Sequence, residues 1–447
     1  MRRGLPSATP VWLVLALWFG GAPLEAQEPL PDVPRPSPPQ WNLHFQATVV
    51  TQHHGTFEAP YSGRNSLVAT PETKTSFTTT LFLGVRLWSG AGLYFDPEVS
   101  AGAGFSNVTG IAGFPNGEIY RVGVTRATLV VARAYLQQTF GFGDETEALE
   151  NGPNQLPGLV PARRLVLTCG KFSLTDFLDD NRFSHDPREQ FLNWALLGNG
   201  AWDYAADTRG YTWGVATEYR QPGWAFRAAA VMVPTEANGF QLDTRIADAH
   251  SFNLEGERRY RLFGRPGASR LIFYRNVARM GSYREAIEES PVAPDVTATR
   301  EYGRDKNGVG LNVEQEVADG AGVFLRLGWN DGRNETWAFT EIDRAAALGT
   351  SWSGAAWGRK ADRFAGALIV NGLSPDHRDY LAAGGYGFII GDGKLRYGLE
   401  TILEAYYSFA LPHGLSLTAD YQHVVRPAYN RDRGPVDVFG LRAHLAF

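Results

Sequence analysis

Trp41-Asn-Leu-His-Phe-Gln-Ala-Thr-Val49 is the stretch that decides the fold. Trp41, Leu43, Phe45, Ala47 and Val49 fall on one side of an extended chain, and Asn42, His44, Gln46 and Thr48 on the other. The same period of two recurs along the chain. Phe77, Leu81, Leu83, Val85 and Leu87 oppose Ser76, Thr78, Thr80 and Arg86. Val309, Leu311, Val313 and Val317 oppose Asn312, Glu314 and Glu316, and Leu403, Ala405, Tyr407 and Phe409 oppose Glu404, Tyr406 and Ser408. Charges in the middle of a strand need water. In a soluble sandwich that water is the bulk solvent; in a membrane barrel it is a wet lumen.

About sixteen such segments can be marked: 41–53, 75–88, 92–100, 128–140, 164–172, 210–220, 223–233, 247–260, 268–276, 306–317, 321–329, 346–354, 362–371, 398–409, 414–425 and 436–447. Each is near the length of a tilted membrane strand. Segment 247–260 alternates least well. The connections choose the barrel over the sandwich. Ser89-Gly90-Ala91, Gln221-Pro222, Ala318-Asp319-Gly320 and Leu411-Pro412-His413 are tight turns, whereas 54–74, 101–127, 173–209, 277–305 and 372–397 are long and fall on the other side of the alternation. Short turns on one rim and long loops on the other mark an all-β, transmembrane antiparallel barrel with extracellular loops and periplasmic turns. One connection, 141–163, is long on the short-turn side and reads as a periplasmic excursion. Trp88, Trp213, Tyr219, Trp224, Trp329 and Tyr421 lie near strand ends, where interfacial aromatic girdles form.

The rest of the composition agrees. Arg2 and Arg3, the apolar run Val11 to Phe19 and a cut after Ala26 have the layout of a secretory signal over residues 1–26. The run is too short for a spanning helix. Residues 27–40 are a proline-rich leader, leaving 41–447 for the barrel. A net charge of −5 gives no hint of nucleic acid. Cys169, the only cysteine, excludes an intramolecular disulfide and reads as a small apolar strand residue. The location expected is the outer membrane of a Gram-negative bacterium, with membrane lipid as the first partner.

Sixteen strands enclose an aqueous channel, so its lining decides function. The densest polar stretch lies in loop 173–209 and the strand before it: Lys171, Asp176, Asp180, Asn181, His185, Asp186, Arg188, Gln190, Asn193 and Trp194. An ion filter needs one dominant sign, and this stretch has none. Acids, bases and amides beside aromatics suit a neutral polyol with vicinal hydroxyls and an apolar ring face. The plainer alternative is that these residues brace the loop against the wall, with Arg188 paired to Asp186 or to a wall carboxylate. Glu98, Arg133, Glu314, Glu316 and Glu404 are the expected lumen-wall charges. Gly170 is expected to bulge its strand and turn Lys171 inward. No second histidine stands at a ligand spacing from His185, and no nucleophile motif supports catalysis, so neither metal, cofactor nor enzymatic activity is expected.

Several motifs carry a resemblance. Gly170-Lys-Phe-Ser-Leu-Thr-Asp-Phe-Leu-Asp-Asp-Asn181, Ser184-His-Asp-Pro-Arg188 and Gln190-Phe-Leu-Asn-Trp194 look like the signature of the carbohydrate-selective porins of the OprB type. So do Ala206-Asp-Thr-Arg-Gly-Tyr-Thr-Trp-Gly214, Ala278-Arg-Met-Gly-Ser-Tyr283, Gly328-Trp-Asn-Asp-Gly332, Val370-Asn-Gly-Leu-Ser374 and Pro427-Ala-Tyr-Asn-Arg-Asp-Arg-Gly-Pro435. The resemblance covers nearly everything after Trp41. It implies a sixteen-stranded barrel that passes glucose and other mono- and oligosaccharides by diffusion. The terminal Phe447 resembles the signal read by the barrel assembly machinery. A non-selective or ion-preferring porin is the main alternative, a plugged or enzymatic barrel the third; monomer and homotrimer both stay open.

Overall fold

The computed structural model describes residues 39–121 and 125–447. The signal 1–26 and nearly all of the leader 27–40 lie outside the described residues. The first half of the chain forms β1 (Trp41–His54), β2 (Glu72–Arg86), β3 (Ala91–Gly102), β4 (Thr128–Gly141), β5 (Thr146–Leu149), β6 (Gly158–Pro161), β7 (Arg164–Phe172), β8 (Thr212–Gln221) and β9 (Trp224–Val231). The second half forms β10 (His250–Leu262), β11 (Arg265–Met280), β12 (Glu301–Ala318), β13 (Ala321–Asn330), β14 (Arg344–Gly354), β15 (Arg359–Gly372), β16 (Glu400–Ala410), β17 (Leu415–Val425) and β18 (Val436–Ala446). β5 and β6 pair only with each other; the other sixteen close into one antiparallel barrel. Every alternating segment read from the sequence is one of those sixteen. Among the described residues no helix is long and apolar enough to cross a membrane.

The barrel is inverted relative to a water-soluble core. Leu403 is 47% exposed while its neighbour Glu404 is fully buried. Trp41, Leu43 and Val49 face out, and Gln46, Thr48 and Gln52 face in. That distribution fits a hydrocarbon exterior and a polar lumen. Closure is made by the last strand on the first. Phe45 N–H donates to the Phe447 carbonyl at 2.9 Å, Phe447 N–H donates back at 3.0 Å, and the two rings lie 5.2 Å apart.

Strand ends differ most at β11 and β12, which run past the expected 276 and begin before the expected 306. There Val277, Ala278 and Met280 are all buried under the loops, so the period of two disappears while the ladder continues to a register shift between Ala278 and Met280. The expected bulge at Gly170 is not formed: β7 pairs in unbroken register on both sides. The shift lies one strand away. Asp96 pairs with Arg133 but Pro97 with Val131, leaving Ala132 as the extra residue. Proline has no N–H for the ladder, which suits it to such a position. The bulge changes the face that β4 presents, from Leu129 and Val131 outward to Leu136 and Phe140 outward, and aims Arg133 into the lumen.

The long loops carry α1 (Trp194–Leu197), α2 (Tyr283–Glu289) and α3 (Pro375–Ala382). On the opposite rim, residues 142–163 form the β5–β6 hairpin, and its tip turns back into the barrel. The Asn42 side-chain amide donates to Asn151 Oδ1 at 2.8 Å and to the carbonyls of Gly152 and Gln155 at 3.1 and 2.9 Å.

Two outcomes follow from this architecture. Phe447→Asp places a charge at the closing seam and should lower the yield of folded, heat-modifiable barrel much more than it changes the conductance of molecules that do fold; a normal yield would count against the seam's importance. An epitope inserted after Val292, on the long-loop rim, should be labelled on intact cells, and one beside Asp319 only after permeabilisation; the opposite pattern would reverse the orientation.

Candidate functional site

Residues 173–211 leave β7 and cross the lumen instead of capping it. The crossing starts with a polar lock. Asp176 accepts the Ser173 N–H at 2.9 Å and grips Arg133 of β4 with both oxygens, Nε at 2.7 Å and Nη2 at 2.6 Å. Planar forks of this kind fix geometry as well as charge. The loop is then stitched to the wall from β10 to β18. Asp179 pairs with Arg326 at 3.2 Å and accepts from Asn312 at 2.8 Å. Glu314 accepts the Arg182 N–H at 2.8 Å and its Nε at 2.9 Å. Glu404 accepts the N–H groups of Leu192 and Asn193 at 2.5 and 3.2 Å, and Arg442 donates to the carbonyls of Pro187 and Gln190, each at 2.6 Å. Between these polar clamps, Phe191 packs edge-on against Phe324 and Tyr406. This side of the lumen is therefore filled.

The free side faces β2–β4 and β7–β9. Arg188 reaches across to Glu118 and Glu98, each at 3.0 Å. Tyr211 donates its hydroxyl to Glu98 at 3.2 Å, with the Arg133 guanidinium 5.4 Å and the Lys171 ammonium 5.8 Å from its ring. Burial pushes the Glu118 carboxyl up, and the Arg188 charge beside it offsets part of that. A cavity of about 100 Å³ opens here, lined by Glu98, Arg188, Trp194, Tyr204, Asp207 and Tyr211 among others. A second, of about 280 Å³, lies toward the tight-turn rim. The Arg133–Asp176 lock stands between them.

A family model described as the carbohydrate-selective porin, OprB family, matches residues 64–447. The chain belongs to that family. Fold and family are those of a channel and not of an enzyme. A structure of Pseudomonas putida OprB at high pH is similar over 91% of this chain and 94% of its own, with 16% identity and a TM-score of 0.70. Porin AaxA of Chlamydia abortus is 22% identical over 294 residues, 64% of this chain and 55% of that protein. The alignment thus spans about half the length of that curated relative.

In this OprB-family porin the residues singled out from the sequence separate by position. Arg188 and Trp194 line the upper cavity, Asp176 and Asp180 the lower. Asp180 is 59% exposed, 3.7 Å from Arg270. Trp194 is buried: its indole donates to the Asn116 carbonyl at 2.7 Å and stacks on Phe339. Asn181, Asn193, Gln190 and Asp186 hold the loop itself. Asn181 donates to Asn312 at 2.7 Å, and Asn193 caps α1 and donates to Gln422 at 3.0 Å. Gln190 accepts the N–H of His185 at 2.5 Å, and Asp186 that of Arg188 at 2.8 Å. Of the wall charges, Glu98 and Arg133 belong to the throat, Glu314 and Glu404 clamp loop backbone, and Glu316 pairs with Arg265 at 3.2 Å near the tight-turn rim. Tyr211 and Glu118 are the throat residues that sequence reasoning missed. Tyr211 lies inside the motif 206–214, yet nothing local marks it as lumen-facing; Glu118 sits in a loop without periodicity.

The clamp can be tested directly. Glu404→Ala leaves two buried N–H groups without an acceptor, at a cost of about 1–3 kcal/mol each. Single-channel records of this variant should be noisier than those of the parent, and Glu404→Gln, which keeps an acceptor, should restore most of the quiet baseline. Equal noise in all three would mean that the loop does not depend on this contact.

Proposed function

We propose that this protein is an outer-membrane porin of a Gram-negative bacterium that lets small neutral saccharides, glucose among them, diffuse through a constriction formed by residues 173–211. The observation that carries this reading is the sign balance of the throat. Glu98, Glu118, Asp176 and Asp207 face Arg133, Lys171, Arg188 and Arg209, four charges of each sign about the throat. A lining without a dominant sign gives little preference to either kind of ion, whereas it offers donors and acceptors to a polyol and an aromatic surface beside them. Membership of a carbohydrate-selective family supports the same solute class. The outward belt of Leu, Phe and Trp side chains meets membrane lipid. We assign secretion to residues 1–26, a periplasmic leader to 27–40, and recognition by the barrel assembly machinery to the strand ending at Phe447.

Affinity in such a channel is weak, because a solute held tightly is not conducted. Dissociation constants near millimolar correspond to about 4 kcal/mol. Glucose in that range should partly block the ion current, and liposomes should swell faster in glucose than in a charged solute of similar size. Arg188→Ala should enlarge ion conductance and weaken the glucose block together. A folded variant that keeps both parental values would remove the loop from the filter; equal swelling rates in the parent would favour a non-selective pore.

A further inference from the structure

Five of the six short connections on the tight-turn rim make plain turns, and the sixth, 355–358, holds one 3-10 turn; residues 142–163 are long enough to form a hairpin and return to the lumen. The returning tip is held at both ends. Asn42 of β1 binds Asn151, Gly152 and Gln155; the Asn154 side-chain amide donates to Asp96 at 2.8 Å; Leu156 is buried beside Tyr94. At the base of the hairpin Glu147 pairs with Arg164 at 2.8 Å and with Arg220 at 3.5 Å. A connection that only had to join β4 to β7 would need none of these contacts.

The tip does not fill the mouth. Between it and the start of the crossing loop lies the cavity of about 280 Å³. Its roof is Asp176, Phe177 and Asp180, its floor Asn154, Leu156 and Val160, and its wall Arg164, Glu218 and Arg227. The chamber is roomy enough to admit a sugar ring. Charge is again balanced, with Arg164, Arg220 and Arg227 against Asp176, Asp180 and Glu218. Phe177 and Tyr94 supply aromatic surface. Asn154 Oδ1 is buried and has no hydrogen-bond partner among the described residues.

We propose that this chamber is a second monosaccharide subsite on the periplasmic side, floored by the tip of the 142–163 hairpin. The proposal rests on the saccharide-porin reading above. A solute passing the Arg133–Asp176 lock then pauses in the chamber before it leaves past the hairpin, and the pore has two narrow points in series. The hairpin limits the size of what is released.

The experiment uses the full-length protein in liposomes on a Cys169→Ala background, with Val160→Cys on the floor and, as a second position should that variant fold poorly, Ala229→Cys on the wall. The rate of modification by a small neutral methanethiosulfonate is measured with and without glucose or sucrose at tens of millimolar. Glucose should slow the reaction several-fold and sucrose much less. Adding Asn42→Ala, which unpins the tip, should raise single-channel conductance and abolish that protection. Unchanged modification rates in glucose, in a protein whose current glucose still blocks, would overturn the subsite and leave the porin reading standing. Absence of any glucose block in the parent would instead be a failure of that reading.

Discussion

Hydrocarbon offers no hydrogen-bond partner to a peptide group, and the rest of this molecule follows from that constraint. Every backbone N–H and C=O in the lipid zone has to be satisfied by a neighbouring strand, so the sheet has to close. The reciprocal bonds between Phe45 and Phe447 complete the ring, and an even number of strands lets first meet last antiparallel. The same constraint inverts the usual distribution of polarity. Apolar side chains go outward because lipid accepts them, and carboxylates and guanidiniums go inward because only the lumen can solvate or pair them.

A ring of this size is wider than a selective pore needs. Narrowing it means bringing irregular chain into the lumen, and that chain has backbone groups of its own to satisfy. Wall carboxylates do this. Glu404 takes the N–H groups of Leu192 and Asn193, and Glu400 takes those of Ala112, Gly113 and Ala428; the loop residue Glu341 does the same for Ile389 and Ile390. Each of these bonds spares a buried N–H from going unpaired, which costs about 1–3 kcal/mol. One chemical group thus has two uses in the same lumen: around Tyr211 it faces the passage, and along β10–β18 it holds the filling.

The strands were legible because lipid on one side and water on the other impose a period of two over the whole height of the wall. The reading weakened where that condition lapses. Val277, Ala278 and Met280 are buried under loops, and Ala132 slips the register next to a proline whose effect is felt on the partner strand. Sequence reasoning placed the disturbance at Gly170 because glycine is a local signal, whereas the bulge depends on a pairing that no single segment contains. The throat was half legible for a similar reason. Composition singled out Arg188 and Asp176, but whether a polar side chain faces the passage or the wall is set by partners more than fifty residues away, as with Glu118 for Arg188 and Gln422 for Asn193.

The one-sided filling of the lumen also makes the cylinder mechanically uneven. Along β10–β18 the wall is backed by packed side chains and resists flattening much as a globular core does. Along the β2–β4 and β7–β9 arc the backing is an apolar cluster around Tyr135, Phe172, Leu178 and Trp202 that two cavities interrupt, bridged by a few ion pairs. Shape fluctuations of the barrel therefore concentrate in the softer arc, which is the one the passage follows. Lateral pressure in the bilayer acts on the bore itself, while the anchored half serves as a fixed abutment.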